Sequence, residues 1–412
     1  MTDDRQRELE LGAKPDGADR VSAMRRSGSE KAAITAMRFS NVHLSNWRNF
    51  TRVSVPVQER NFLVGPNASG KSNFLDAFRF LNDLVSVGGG LESSIASRGG
   101  VPAIRCLAAR QHSDVGIEVS VSGGNGEVWR YQLSFNQLER RPMVHEESVY
   151  HNDRLLLRRP EPADKRDPER LRQTHLEQVA ANKDFRKVAD FFRSIRYYHI
   201  VPQLVRESSR WDGPEVDPYG GDFLERIMQT NVMRRKAWLK RIQNALGVAG
   251  PKLTALVAER DKRGIPHLRG KYEHWRSQGA WQDETQFSDG TLRLMGLLWS
   301  LLEAPGPLLL EEPELSLHPE VVRHMPQLML RVQEKSPHQV FISTHSSDLL
   351  RDRGIAPDEV FLFTPSKEGT SIQTGASLPQ VRRLLESGLS VAEVVMPMTR
   401  PPHSDQLALT FD

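Results

Sequence analysis

Lys71 and Ser72, near the end of the stretch Asn61 to Asn73 (NFLVGPNASGKSN), are the residues with the clearest chemical purpose. The spacing Gly65-x4-Gly70-Lys71-Ser72 is that of a loop whose glycines let backbone N–H groups turn inward around a polyphosphate. Gly65, Pro66, Asn67, Ala68, Ser69, Gly70 and Asn73 would form the cradle. Lys71 would reach the β- and γ-phosphates, and the Ser72 hydroxyl would ligate Mg2+. The expected ligand is a nucleoside triphosphate, ATP or GTP.

Three later stretches carry further chemistry. In PLLLEEPELSLHP (307–319) two carboxylates follow an apolar run. Glu311 is placed to sit near Mg2+, mostly through water, and Glu312 to polarise an attacking water as general base. In VFISTHSSDLL (340–350) an apolar run ends at His345, which can hydrogen-bond a γ-phosphate or hold the catalytic water. In FSDGTLRL (287–294), Ser288 and Gly290 stand where a helix begins, and a helix start can bind an anion.

The elements that must position these groups are legible on either side of them. Phe62, Leu63 and Val64 read as a strand feeding the loop. Phe74, Leu75, Phe78, Leu81 and Leu84 recur at helical spacing until Gly88-Gly89-Gly90. Leu308, Leu309 and Leu310 read as a parallel strand buried on both faces, with the carboxylates at its end, where open α/β sheets bind ligands. Upstream, Met37 to Leu44 and Val53 to Val57 suggest two strands joined by the turn NWRNF (46–50). The alternations Val115–Val121 and Trp129–Phe135 flank SGGNG and predict a hairpin.

The remaining segments carry less. Residues 1–35 mix charges with Gly, Ser and Ala and are read as a disordered extension. Residues 140–282 are rich in Arg, Lys and Glu and are read as an inserted, mainly helical subdomain. A helix is expected there over 222–247, with Leu224, Ile227, Met228, Val232, Leu239, Ile242 and Leu246 on one side. Its basic runs, Arg234-Arg235-Lys236 and Lys240-Arg241, read better as a solvated face than as a nucleic-acid contact. The expected division is therefore 36–139 and 283–412 as two halves of one nucleotide-binding head, with 140–282 between them.

Bulk composition narrows the class. The 412 residues are 38% hydrophobic and 26% charged, and carry a formal net charge of +4. No run approaches the length of a membrane span, and the N-terminus has no signal-peptide pattern. One cysteine, Cys106, excludes an internal disulfide and a cysteine zinc site, which fits a reducing cytoplasm.

Together the motifs NWRNF, the phosphate loop, SDGTLR, EEPELSLHP and STHSSDLL, with the ending GLSVAEVV (388–395), resemble the ABC-type ATPase head shared by the RecF, SMC and OLD families. They are most similar to standalone AAA-family ATPases of bacterial defence and repair operons. The resemblance covers about residues 37–135 and 282–400. It implies an α/β P-loop NTPase fold with a mixed central sheet and an antiparallel β piece. It implies ATP and Mg2+ as ligands and ATP hydrolysis as the activity.

It also implies roles that spacing does not give. Ser288 and Gly290 would correspond to the signature motif that contacts ATP held by a second subunit, making the protein a homodimer through its ATP-bound heads. Pro313 to Pro319 would be the D-loop region, His345 the switch histidine, and Arg48 a residue close to the nucleotide. Gln111 is a candidate for the Q-loop. Two departures stand out: SDG in place of SGG, and Glu311 where an Asp is usual. The functions implied are control of an operon-encoded effector in anti-phage defence or, alternatively, a RecF-like DNA clamp. An OLD-type nuclease is disfavoured, because no clustered acidic metal motif follows His345.

Overall fold

A computed structural model describes residues 37–109, 112–207, 216–249, 253–273 and 280–400. The expected N-terminal extension and the Q-loop candidate Gln111 lie outside them. Among the described residues no helix is long and apolar enough to cross a membrane.

Two six-stranded sheets share one core. The first is antiparallel, in the order β2-β1-β4-β5-β6-β7. Its strands are β1 (Arg38–Trp47), β2 (Phe50–Pro56), β4 (Val115–Ser122), β5 (Val128–Leu138), β6 (Arg141–His151) and β7 (Arg154–Arg159). The second runs β15-β14-β3-β13-β12-β8. In it β3 (Arg60–Val64), β8 (Arg196–Tyr198), β12 (Leu308–Glu311), β13 (Val340–Thr344) and β14 (Val360–Ser366) are mutually parallel, and β15 (Gly369–Thr374) closes one edge antiparallel. A three-stranded antiparallel sheet, β9 (Leu253–Arg260), β10 (Pro266–Tyr272) and β11 (Ala280–Asp283), stands apart from both.

The second sheet is buried on both faces, and the pleat assigns its residues alternately to two cores. Leu63, Leu309, Phe341 and Phe361 point to one core, while Phe62, Val64, Leu308, Leu310, Val340 and Ile342 point to the other. This two-sided burial is why its strands read as continuous apolar runs. Helix α1 (Lys71–Val85) fills the space between the two sheets. Phe78 is its keystone: its ring lies 4.9 Å from Phe39 of the first sheet, 4.6 Å from Phe341 of the second and 5.4 Å from Phe74 on its own helix.

The other helices used below are α2 (Arg186–Arg193), α3 (Phe223–Gln229), α4 (Val232–Ala249), α5 (Asp289–Glu303), α6 (Pro319–Arg323) and α7 (Met325–Gln333). α5 is enclosed over most of its circumference, with every residue from Leu294 to Leu301 buried. It packs with α4 through Trp238 and Trp299, whose rings are 5.1 Å apart.

Residues 140–282 depart from the expectation of a mainly helical insertion. β6 and β7 extend the first sheet, β8 is an edge strand of the second, and β9–β11 make the third. Charge-rich composition misleads here because these strands have exposed faces: β7 alternates little and β10 carries Lys271 and Arg269 outward. The helix expected over 222–247 is also two helices. Thr230 leaves the helical conformation, and the Asn231 side chain accepts from the Met233 and Arg234 N–H groups, starting α4 afresh. Leu224, Ile227, Leu239, Ile242 and Leu246 are buried as expected, whereas the break turns Val232 outward. Arg234, Lys236, Lys240 and Arg241 are exposed.

Phe78→Ala removes the ring that joins the two sheets through α1. The expected loss is about 3–5 kcal/mol, the range for deleting a buried aromatic ring. A urea titration followed by tryptophan fluorescence reads it as a lower midpoint, and an unchanged midpoint would refute the keystone role.

Candidate active site

β3 delivers the chain to Gly65, and α1 starts at Lys71. The loop between them is tight enough to dictate its residues. A Cβ on Gly65 would lie 2.7 Å from Ser69 Oγ and 2.8 Å from the Phe363 carbonyl oxygen. Gly70 has φ +98°, and a Cβ there would sit 2.2 Å from the Asn49 amide nitrogen. Ala68 also has positive φ, and Ser69 N–H turns back onto the Pro66 carbonyl at 3.2 Å. Asn67 and Ala68 are exposed at the tip, Ser69 is buried beneath it.

The NWRNF turn clamps this loop, mainly through Asn49. Asn49 Nδ2 donates to the Ser69 carbonyl at 3.0 Å and to Thr370 Oγ1 at 2.7 Å, and its Oδ1 accepts from Asn73 at 2.9 Å. Trp47 Nε1 donates to the Asn73 carbonyl at 2.9 Å. Arg48 turns to the flank of α1: its guanidinium pairs with Asp76 at 3.0 Å and reaches the Ala103 carbonyl at 3.1 Å. Arg98 shares Asp76 at 2.9 Å, and the two guanidiniums hold that carboxyl below its usual range against the cost of burial.

Lys71 is the electrostatic centre. Its Nζ donates to the carbonyls of Gly65 at 3.0 Å and Pro66 at 3.1 Å, and the side chain is buried. Desolvation lowers its pKa to about 8, opposed by Glu312, Glu311 and Glu314 in that order. An ammonium held only by neutral carbonyls, at the start of a helix whose first N–H groups have no intrahelical partner, is arranged to receive an anion.

The acidic side comes from the neighbouring strand ends. Glu311 closes β12, and its carboxylate accepts from the Ser72 hydroxyl and from the Tyr197 hydroxyl. Burial and the Glu311 charge push the Tyr197 phenol well above its usual pKa, so it stays a donor. His199 Nδ1 lies 3.2 Å from the Glu311 carbonyl oxygen. Glu312 takes φ +43°, an uncommon conformation for a residue with a side chain, and its N–H donates to the Ser343 carbonyl at 3.0 Å. That turn brings Glu312 Oε1 to 3.4 Å from Nε2 of His345 at the end of β13. Burial first, and the Lys71 charge second, lower the His345 pKa, so the ring is neutral at pH 7.

Behind this pair stands Glu314, buried, with one carboxylate oxygen accepting from Thr344 Oγ1 and from the His345 N–H. Burial raises its pKa, and its second oxygen has no hydrogen-bond partner among the described residues.

Ser288 and Gly290 begin α5, away from this cluster. Ser288 caps the helix by accepting from the Thr291 N–H at 3.2 Å. Arg206 secures the same turn by donating to Asp289 at 2.6 Å and to the Phe287 carbonyl at 2.8 Å. A Cβ on Gly290 would lie 2.6 Å from the Ser316 carbonyl oxygen, so the helix start packs directly on the backbone that follows Glu312. A cavity of about 190 Å³ opens there, with Tyr272, Leu317 and His318 in its walls and no phosphate-loop residue.

The structure thus brings Lys71, Ser72, Glu311, Glu312 and His345 together, and keeps Ser288 and Gly290 apart. It adds Asn49, Tyr197, His199 and Glu314, which sequence reasoning missed. Asn49 and Glu314 lay within motifs already singled out, NWRNF and EEPEL. Tyr197 and His199 had almost no signal, because β8 is a strand of three residues inside a basic stretch.

These residues fit a magnesium nucleotide. The loop leaves no space for side chains at Gly65 or Gly70, Lys71 forms no salt bridge among the described residues, and Ser72 with Glu311 forms an all-oxygen donor pair suited to Mg2+. Fold and site define an ABC-type ATPase head of the RecF/SMC/OLD lineage. The chain belongs to the family described as "AAA domain, putative AbiEii toxin, Type IV TA system", whose model matches residues 60–352.

Two solved structures have the same fold. An SMC head bound to the C-winged helix domain of ScpA aligns with a TM-score of 0.52 at 13% identity, covering 82% of this chain and 97% of that one. An SMC head domain with an extended coiled coil, bound to the C-terminal domain of ScpA and derived from Pyrococcus furiosus, aligns with a TM-score of 0.50 at 11% identity, covering 85% and 99%. In sequence, the chain is 47% identical to Endonuclease GajA of Bacillus cereus (strain VD045) over 47 residues, which is 11% of this chain and 8% of that protein's length.

A pH dependence follows from the Lys71 environment. A bound triphosphate must raise the Lys71 pKa above the value near 8 that burial imposes without one. Below pH 8 the group is charged in both states and affinity is flat with respect to it. Above pH 8 binding must take up a proton, so the ATP dissociation constant rises up to tenfold per pH unit. Calorimetry in two buffers of different ionisation heat should give buffer-dependent enthalpies at pH 9; identical heats there would show that Lys71 does not titrate.

Proposed function

We propose that this protein binds ATP with Mg2+, hydrolyses it, and uses nucleotide-driven pairing of two copies to control a partner effector in anti-phage defence. The observation that carries the chemistry is the Glu312–His345 pair. It stands at the ends of adjacent parallel strands and within electrostatic reach of Lys71. Lys71 holds the β- and γ-phosphates, and the N–H groups of the loop and of the first turn of α1 face the same anion. Ser72 and Glu311 would hold Mg2+, which would supply charge neutralisation to the phosphates. Glu312 accepts a proton from the attacking water, and the neutral His345 imidazole beside it orients that carboxylate and the γ-phosphate. Tyr197 and His199 keep the Glu311 turn in register.

The separation of Ser288 and Gly290 from the phosphate loop supports a composite site. Their cavity sets Ser288, Gly290 and Thr291 at a helix start among larger side chains, with no phosphate-loop residue of the same chain in its walls. A second copy would present its own loop-bound triphosphate there. The control of an effector rests on the family description, which names a toxin of a toxin–antitoxin system, and on the short match to an endonuclease.

Glu312→Gln should leave ATP binding intact and lower turnover by a factor on the order of 10²–10⁴. If Glu311→Gln lost turnover while Glu312→Gln kept it, their roles would be exchanged.

Pairing is tested by complementation. Ser288→Arg should retain ATP binding and lose both hydrolysis and ATP-dependent association. Mixed with Lys71→Ala chains, it should regain partial activity, because one site of each mixed dimer has both motifs intact. A mixture that forms dimers and stays inactive, or a Ser288→Arg monomer with normal turnover, would refute the composite site.

A further inference from the structure

Between the outer face of α1 and the edge strand β8 lies a cleft of about 390 Å³ that the reading above does not use. Arg79 of α1, Arg193 at the end of α2 and Arg196 of β8 stand in its walls with a single acidic residue, Asp83. Asp83 is already engaged by Arg98, at 2.8 Å. Arg193 pairs with Asp190 and donates to the Val85 carbonyl at 3.0 Å. Arg196 donates to the backbone carbonyls of Arg193 and Ile195, at 2.8 and 2.9 Å. Arg79 lies flat over the Tyr197 ring, 4.2 Å from its centre, and forms no salt bridge among the described residues. Among the described residues, then, Arg79 and Arg196 form no salt bridge, although the Arg79 charge reaches the Asp83 carboxyl and opposes its upward shift on burial.

We infer that this cleft is a binding site for a small phosphorylated molecule of mononucleotide size, and that its occupancy is transmitted to Glu311 through Tyr197. Guanidinium forks match phosphate oxygens in geometry and charge, which favours a phosphate over a simple halide. The volume is within the range of small-molecule pockets and too small for a protein element or a nucleic-acid duplex. The cleft differs from a solvated basic face in what forms its wall. Arg79 contacts Tyr197, the Tyr197 hydroxyl donates to the Glu311 carboxylate, and the same carboxylate accepts from Ser72. A phosphate that draws Arg79 off the ring changes the support of the residue assigned to Mg2+. The binding claim stands by itself; only the transmission rests on the proposed role of Glu311.

The probe is AMP, with inorganic phosphate as a second ligand that carries the charge without the nucleoside. Lys71→Ala silences the phosphate loop, so calorimetry on that variant reads the cleft. Saturable one-to-one AMP binding is expected, weakened at least tenfold by adding Arg79→Ala and Arg196→Ala. Arg79→Lys, which keeps the charge and loses the fork, should weaken it less and guards against a folding defect. Without the Lys71 substitution, AMP at saturating ATP and Mg2+ should change turnover at least twofold, and Arg79→Ala should abolish that response whatever its basal rate. Absence of saturable binding, or an affinity indifferent to the arginine substitutions, overturns the site. Binding without any change in turnover overturns the transmission. If the protein proved to have no ATPase activity, the calorimetric arm would still decide the site.

Discussion

A buried positive charge at one end of a sheet, hydrogen-bonded to neutral carbonyls and faced at longer range by Glu312, Glu311 and Glu314, is the constraint on which the rest of this molecule depends. Lys71 is buried with only the carbonyls of Gly65 and Pro66 to receive its protons, and desolvation lowers its pKa to about 8. Such a site is tolerable only if its surroundings cannot collapse onto it. Asn49 ties the loop from above, Phe363 limits it from the side, and α1 is anchored below by aromatic contacts to both sheets. The fold preserves a cation and a row of helix N–H groups on which no carboxylate closes among the described residues.

The same sheet supplies the opposing charges at a controlled distance. Because β12, β13 and β3 are parallel and in register, their C-terminal ends open on one edge. Glu311 is held by Ser72 and Tyr197, so it belongs to the α1 side of that edge. Glu312, turned by its positive φ, belongs to the His345 side. One residue of chain thus divides two carboxylates between two surroundings. Glu314 braces the His345 turn from behind, where burial favours its protonated form.

Much of this was legible in the sequence because local chemistry demanded it. A loop that admits no Cβ requires glycine at Gly65 and Gly70, and a strand buried on both faces requires an unbroken apolar run. The strands, the hairpin, α1 and the five site residues nearest the phosphate loop were therefore readable. The middle third was not. Strands with one wet face and short edge strands carry charge and look like solvated helices, so β6, β7 and β9–β11 read as helical sequence. Only the Asn231 side chain, capping α4, marks where one apparent helix becomes two.

The sequence by itself determined the ligand class and the order of the motifs, since glycine, lysine, serine and glutamate at those spacings answer to the geometry of a phosphate and a metal. Tertiary structure decided which of them meet. Ser288 and Gly290 share residue types with the phosphate loop, yet Gly290 packs on Ser316 and both line a cavity whose walls hold no phosphate-loop residue. Tyr197 and His199 sit 114 and 112 residues from Glu311 in sequence and touch it, because β8 pairs with β12. Spacing along a chain encodes local backbone geometry. Contacts across a sheet edge are set by strand order and register, which no short motif contains.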